Sequence, residues 1–166
     1  MQEDEREKAT PTEEPVRFLV WRVVGWAFGL PLEQMRKIGS AGEVTRVPGS
    51  WPWVKGVLAF RGQIVPLFDM RVRLGLPQEA DPDGSGRILL VSIRDKWIAL
   101  TADEIVGIQR VEPAAIEPAE RFTIAGVERR FLAGAIRQGG ELTLVPDLDK
   151  MFLTAEHSLD FTPDGS

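Results

Sequence analysis

Short apolar runs broken by glycine and proline dominate the pattern along this chain. Residues 18–24 and 26–30 are rich in Val, Phe and Trp and predict two strands, with Gly25 suited to the turn between them. Residues 31–38 predict a helical turn with Pro31 near its start. Residues 43–47 and 54–60 predict strands, with Trp51-Pro52-Trp53 packed before the second or forming an exposed apolar patch. Arg61-Gly62-Gln63 predicts a hairpin turn into a strand at 64–68. Residues 88–93 are nearly all apolar, which fits a strand buried on both faces or a short buried helix. Length and β-branching favour the strand. Strands at 96–100, 107–111, 131–136 and 141–145 bring the set to ten. Many short strands with few long helices predict a mostly β fold, a barrel or a sandwich.

The same pattern repeats within the chain. Phe28-Gly29-Leu30 and the five residues after it match Ile98-Ala99-Leu100 and the five after that, at an offset of 70. A second block matches at an offset of 78. It pairs Gly56 with Gly134, Leu58 with Ile136, Gly62 with Gly140, Ile64 with Leu142, Leu67 with Val145, Asp69 with Asp147 and Leu74 with Phe152. Gly62 and Gly140 fall where a hairpin needs positive φ. Asp69 and Asp147 follow an apolar strand and are placed to cap a helical turn, and Gly75 suits the end of the first such turn. Two copies of one small β unit account for these matches. The Pro- and Gly-rich stretch at 77–86 is the boundary between them.

Charge refines this division. Residues 1–15 hold six acids against Arg6 and Lys8, a net −4, and residues 154–166 hold three acids and no base, a net −3. The chain total is −5, so the 16–153 body is +2. Both ends read as acidic tails without buried structure. A nearly neutral body offers little attraction to phosphate backbones, so nucleic acid is not an expected partner. A small-barrel nucleic-acid-binding protein is the alternative to a protein-binding module. The first fifteen residues have no apolar run of signal-peptide type, and no stretch reaches the roughly 20 apolar residues of a membrane helix. The expectation is a cytoplasmic protein without direct membrane contact.

Candidate chemistry is sparse. The chain has no Cys and one His in 166 residues, which excludes thiol nucleophiles, Cys-ligated metals and any site with two histidines. His157 sits in the acidic C-terminal tail with no nucleophile nearby. Asp81, Asp83 and Ser85 are spaced like the start of a calcium loop, but Ser92 stands where that loop needs a bidentate Glu. The segment therefore reads as linker. No phosphate-binding glycine loop occurs. No enzyme activity, metal or cofactor is expected.

The segment Trp53-Val54-Lys55-Gly56-Val57-Leu58-Ala59-Phe60-Arg61-Gly62-Gln63-Ile64-Val65-Pro66-Leu67-Phe68-Asp69-Met70-Arg71 closely resembles the signature of CheW-like domains. In that family Gly-Val, Asn-Leu-Arg-Gly, Ile-Val-Pro and Asp-Leu-Arg follow at this spacing. Val44-Thr45-Arg46-Val47-Pro48, Asp103-Glu104-Ile105 and Phe131-Leu132-Ala133-Gly134 extend the likeness to about 16–153. The resemblance implies two five-stranded SH3-like barrels packed together, one at about 16–76 and the other at about 87–153. It also implies an adaptor in chemosensory signalling. Its partners would be the regulatory domain of a CheA-type histidine kinase and the cytoplasmic tip of a methyl-accepting chemoreceptor.

Interface positions implied by the resemblance are Met35, Lys37, Gly56, Arg61, Ile105 and Ile108. Arg61 is the receptor-facing Arg of the motif, and Gly56 a position whose substitution disturbs signalling. The family's Glu partner of that Arg is replaced here by Lys37. Like charges repel. So Lys37 points away, another acid pairs with Arg61, or the receptor surface differs. A divergent or non-chemotaxis pathway fits this departure.

Overall fold

A computed structural model describes residues 14–40, 42–77, 86–121, 123–124 and 126–153. The N-terminal acidic tail up to residue 13, linker residues 78–85 and the C-terminal tail with His157 lie outside the described residues.

The elements follow the apolar runs. In chain order they are β1 (Val16–Val23), β2 (Trp26–Pro31), β3 (Met35–Ser40), β4 (Val54–Phe60), β5 (Gln63–Phe68) and a helical turn α1 (Met70–Leu74). Then come β6 (Arg87–Ile93), β7 (Lys96–Ala102), β8 (Glu104–Val111), β9 (Ile116–Pro118), β10 (Leu132–Gln138), β11 (Glu141–Pro146) and a second turn α2 (Leu148–Phe152). They form a six-stranded sheet ordered β8-β1-β2-β11-β10-β9 and a five-stranded sheet ordered β3-β6-β7-β5-β4. These are two SH3-like barrels, one with a short sixth strand.

Two local expectations change. Residues 31–38 are not one helical turn. Leu32–Gln34 makes a single 3-10 turn, and Met35 onward is strand β3, paired antiparallel with β6. The local signal for a turn was real, but pairing with a distant strand decides the remainder. Residues 43–47 do not form a strand either. They contribute one bridge, Thr45 to Val57, in the place that β9 occupies in the other sheet.

Both halves repeat the same registers. Trp21 faces Phe28 in β1–β2, and Val91 faces Ile98 in β6–β7, 70 residues on. Gly56 faces Leu67 and Gly134 faces Val145, 78 residues on, each next to a register shift at the same place. The Asp caps also repeat: Asp69 accepts a hydrogen bond from the Arg71 N–H (2.9 Å) and Asp147 from the Lys150 N–H (3.0 Å). Gly75 adopts φ 74° after α1, and the N–H groups of Gly75 and Leu76 return to Val72 and Arg71, closing the helix end.

The sheets nevertheless cross the expected division at 77–86. The first sheet joins hairpin β1–β2 to β8–β11, and the second joins hairpin β6–β7 to β3–β5. Each half thus lends its first hairpin to the other half's barrel, so 16–76 and 87–153 are chain halves, not sheets. After Pro31 the chain turns through Leu32–Gln34 and continues as the edge strand of the other sheet.

Burial explains why the exchanged hairpins are apolar on both faces. Ile88 and Leu90 point into a cluster drawn only from the second sheet, with Leu58, Val65, Leu67 and Ala99. Phe18, Val20, Ala27, Val111 and Ile136 form the matching cluster of the first. The alternate residues Leu19, Trp21, Phe28, Leu89, Val91 and Ile98 enter one large core shared by both sheets and both helical turns. Period-2 alternation therefore sends one face into a barrel and the other into the shared core. The edge strands β3 and β8 keep a largely exposed face.

Trp51 and Trp53 are half-buried and stacked, with centroids 5.1 Å apart, so they do not make an open apolar patch. The Arg73 guanidinium lies 4.0 Å from the Trp53 ring and 4.4 Å from the Phe131 ring, and Arg73 Nε donates to the Met151 carbonyl at 2.7 Å. A single α1 side chain thus ties the first half to the second. Replacing Arg73 by Ala is expected to cost about 2 kcal/mol in urea unfolding, from two cation–π contacts and a charge-assisted hydrogen bond. Arg73→Lys should recover only part of this, because an ammonium cannot stack in plane.

Candidate interaction site

The site begins with a two-residue hairpin. Phe60 faces Gln63 across β4–β5, leaving Arg61 and Gly62 as the loop. Both take positive φ, 53° and 77°, which matches the right-handed twist of the flanking strands. Gly62 reaches this conformation freely and Arg61 at some cost. Val24, Arg94 and Asp95 take similar φ values in the other hairpins. The strain therefore belongs to the turn type and does not by itself mark a site.

What distinguishes this turn is its neighbours. Arg61 is exposed, and its guanidinium sits 5.1 Å from the Phe60 ring. Lys37 reaches the same ring from β3, with Nζ at 5.4 Å. β3 and β4 are opposite ends of the second sheet, so this convergence marks where the barrel curls towards closure. Phe60 in turn stacks on Trp97 of β7 at 5.5 Å. Two cations thus share one aromatic platform. Each is attracted to the negative face of the ring, which offsets part of their mutual repulsion. No ion pair joins either cation to a carboxylate among the described residues, whereas Lys55, Arg71 and Arg94 each have one, with Asp69, Asp103 and Asp149. Beside the turn, Ile64 is 67% exposed.

The other sequence-predicted positions fall into distinct places. Gly56 is buried and has no side chain to offer a partner. Its φ is +150°, and a Cβ there would press on the Thr45 carbonyl oxygen and on Val44 Cγ1 at 2.7 Å. It is a close-approach glycine that lets the 43–47 segment lie on β4. Met35 and Ile105 are related by the 70-residue repeat, and both are half-buried against the shared core, opposite Val91 and Trp21. Ile108, 58% exposed on edge strand β8, has as its repeat partner Ile38, which is also exposed on β3. Met35 and Lys37 therefore lie with Arg61 in the second barrel, while Ile105 and Ile108 lie on the first. Phe60, Trp97 and Ile64 were not predicted as site residues. An Ile directly after a hairpin Gln was the one available signal.

Among the described residues, no group of three or more His, Asp or Glu side chains gathers to hold a metal, and no helix is long and apolar enough to cross a membrane.

Comparison with known proteins agrees with this geometry. Residues 17–156 match the family model described as CheW-like domain. The chain is similar to the chemotaxis protein CheW of Bacillus subtilis (strain 168), 28% identical over 152 residues, covering 89% of this chain and 93% of that one. It is 28% identical to protein FrzA of Myxococcus xanthus over 134 residues, covering 80% and 79%. The crystal structure of the scaffolding protein TtCheW from Thermoanaerobacter tengcongensis superposes with a TM-score of 0.79 at 20% identity, over 87% of this chain and 98% of that one. On the strength of a family match that spans both barrels, the chain belongs to the CheW-like domain family.

Proposed function

We propose that this protein is a non-catalytic, cytoplasmic adaptor that couples chemoreceptors to a CheA-type histidine kinase in a chemosensory pathway. The exposed edges of both barrels, with Ile108 on β8, meet the kinase's regulatory domain. The face carrying Met35, Lys37 and Arg61 meets the receptor tip. The observation that supports this assignment most is the platform that exposed Lys37 and Arg61 form on half-buried Phe60. It sits at the hairpin whose motif identifies the family, and its cations have no carboxylate partner among the described residues. Lys37 does not turn away from Arg61, and no described acid takes the place of the family's Glu. Two of the three alternatives therefore remain: an acid outside the described residues pairs with Arg61, or the receptor surface differs. The second would accord with a divergent or non-chemotaxis pathway. The nucleic-acid alternative is not favoured by the family match.

Pull-down with the regulatory domain of the cognate kinase and with a soluble receptor-tip fragment tests the reading. Arg61→Glu is expected to weaken receptor association at least about tenfold, as loss of a charged interface contact does, and to leave kinase association intact. Its stability should stay within about 0.5 kcal/mol of wild type, since the side chain is exposed. Absence of kinase-domain binding at high micromolar concentration would sink the adaptor assignment.

A further inference from the structure

The Lys37–Phe60–Arg61 platform and the acidic N-terminal segment are complementary in charge and close along the chain. The segment before Val16 carries Glu3, Asp4, Glu5, Glu7, Glu13 and Glu14 against Arg6 and Lys8, a net −4. It enters the fold beside the platform's own strand: Glu14, Pro15, Val16 and Arg17 line one surface cleft together with Leu32 and Glu33. Glu33 is four residues before Lys37, so the connecting backbone cannot span more than about 14 Å. A coil of thirteen residues has a root-mean-square span of about 20 Å. The carboxylates are therefore tethered within reach of the two cations, at an effective concentration of about millimolar.

Arg22, Lys55, Arg71, Arg94, Arg130 and Arg137 already have carboxylate partners. Lys37 and Arg61 have none among the described residues, and they converge from two strands on one ring. The repeat makes the comparison sharper. The positions matching Lys37, Phe60 and Arg61 in the other barrel are Gly107, Gln138 and Gly139, so that barrel has neither the ring nor the cations at this place.

We propose that the acidic segment 1–13 docks on the Lys37–Phe60–Arg61 platform of its own chain. A docked carboxylate bridges the Lys37 ammonium and the Arg61 guanidinium and supplies the negative charge that the platform lacks. Any acidic partner for this face must then displace the segment, which makes occupancy of the face adjustable by salt and by modification of the segment. The inference does not depend on the adaptor assignment, because it concerns only groups of this chain.

The test uses the full chain and a full chain in which Glu3, Glu5, Glu7 and Glu13 are replaced by Gln and Asp4 by Asn. Carbodiimide joins a lysine amine directly to a carboxylate in contact with it, and peptide mass mapping finds the link. The expected product is an intramolecular amide between Lys37 and an acid of 1–13. It should be lost in Lys37→Gln and reduced at least about tenfold between low salt and about 0.5 M salt, where the Debye length falls to a few ångströms. In parallel, the amide resonances of Phe60, Arg61 and Gly62 and the Trp97 indole resonance should differ between the two proteins and coincide at high salt. Links that favour Lys55, Lys96 or Lys150 over Lys37 would overturn the proposal. So would unchanged resonances at 60–62, or links found only between two molecules. Kinase-domain binding measured on the same two proteins is expected to be equal, which keeps failure of the docking distinct from failure of the adaptor assignment.

Discussion

Gly56→Ala is expected to lower stability by about 3 kcal/mol, although the new group is a single methyl. Two costs combine. An L-residue must be forced to φ +150°, and its Cβ meets Val44 Cγ1 at 2.7 Å and the Thr45 carbonyl carbon at 3.0 Å, with the Thr45 oxygen nearer still. The carbonyl cannot swing away cheaply, because Thr45 and Val57 exchange both backbone hydrogen bonds at 2.8 Å. The repeat supplies an internal comparison. A Cβ on Gly134 would meet the Glu117 carbonyl oxygen at 2.6 Å, so Gly134→Ala should also be costly. Gly62 has φ +77° but open space around it, and Gly62→Ala should cost only about 1 kcal/mol. Urea unfolding of the three variants gives the ranking. If Gly56→Ala is no less stable than Gly62→Ala, the close approach does not constrain this backbone. On this account Gly56→Ala acts through the folding of the second barrel, whereas Arg61→Glu leaves the fold intact.

Phe152→Ala is expected to cost about 4 kcal/mol, in the range for deleting a fully buried Phe. Phe152 is 1% exposed at the end of α2 and stacks on Phe68, with centroids 4.3 Å apart and planes 10° apart. Phe68 ends β5 of the second sheet, while α2 follows β11 of the first. The ring pair therefore lies in the core where the two barrels meet, and truncation removes area from both at once. Because the large core draws residues from both sheets, unfolding should remain a single transition. Calorimetry and urea unfolding followed by Trp fluorescence check this together. Two separated transitions in the wild-type protein would show that the barrels are independent units and that the exchanged hairpins do not bind them into one.

Much of the fold was legible because its determinants are local. The β1–β2, β4–β5 and β10–β11 hairpins are set by strand composition and by a glycine suited to the turn, and the two strands of β6–β7 by composition alone. Gly62 and Gly140 were placed correctly at φ 77° and 81° for that reason. The caps at Asp69 and Asp147 also act within three residues of themselves. Strand β9 and the reduction of 43–47 to one bridge were not legible. Their extent depends on how closely a distant glycine lets the backbones approach. Strand β3 is not legible for a related reason: Pro31 and the polar residues after it favour a turn locally, and only the distant β6 supplies the pairing that extends residues 35–40.

The candidate site divides in the same way. Arg61 was found through a motif, and the motif is local. That Lys37 shares its ring is a property of barrel closure, which brings together strands at opposite ends of a sheet. The repeat, the turns at Gly25, Gly62 and Gly140, the helix caps and the separation of acidic ends from a nearly neutral body all follow from the chain's residues alone. Each of these rests on backbone geometry, alternation or charge within a few residues. Which hairpin completes which barrel, and which side chains meet on Phe60, is set by contacts between distant parts of the chain. A hairpin apolar on both faces is satisfied by burial against any sheet that covers it. The choice between its own half and the other is therefore made by packing across the whole molecule.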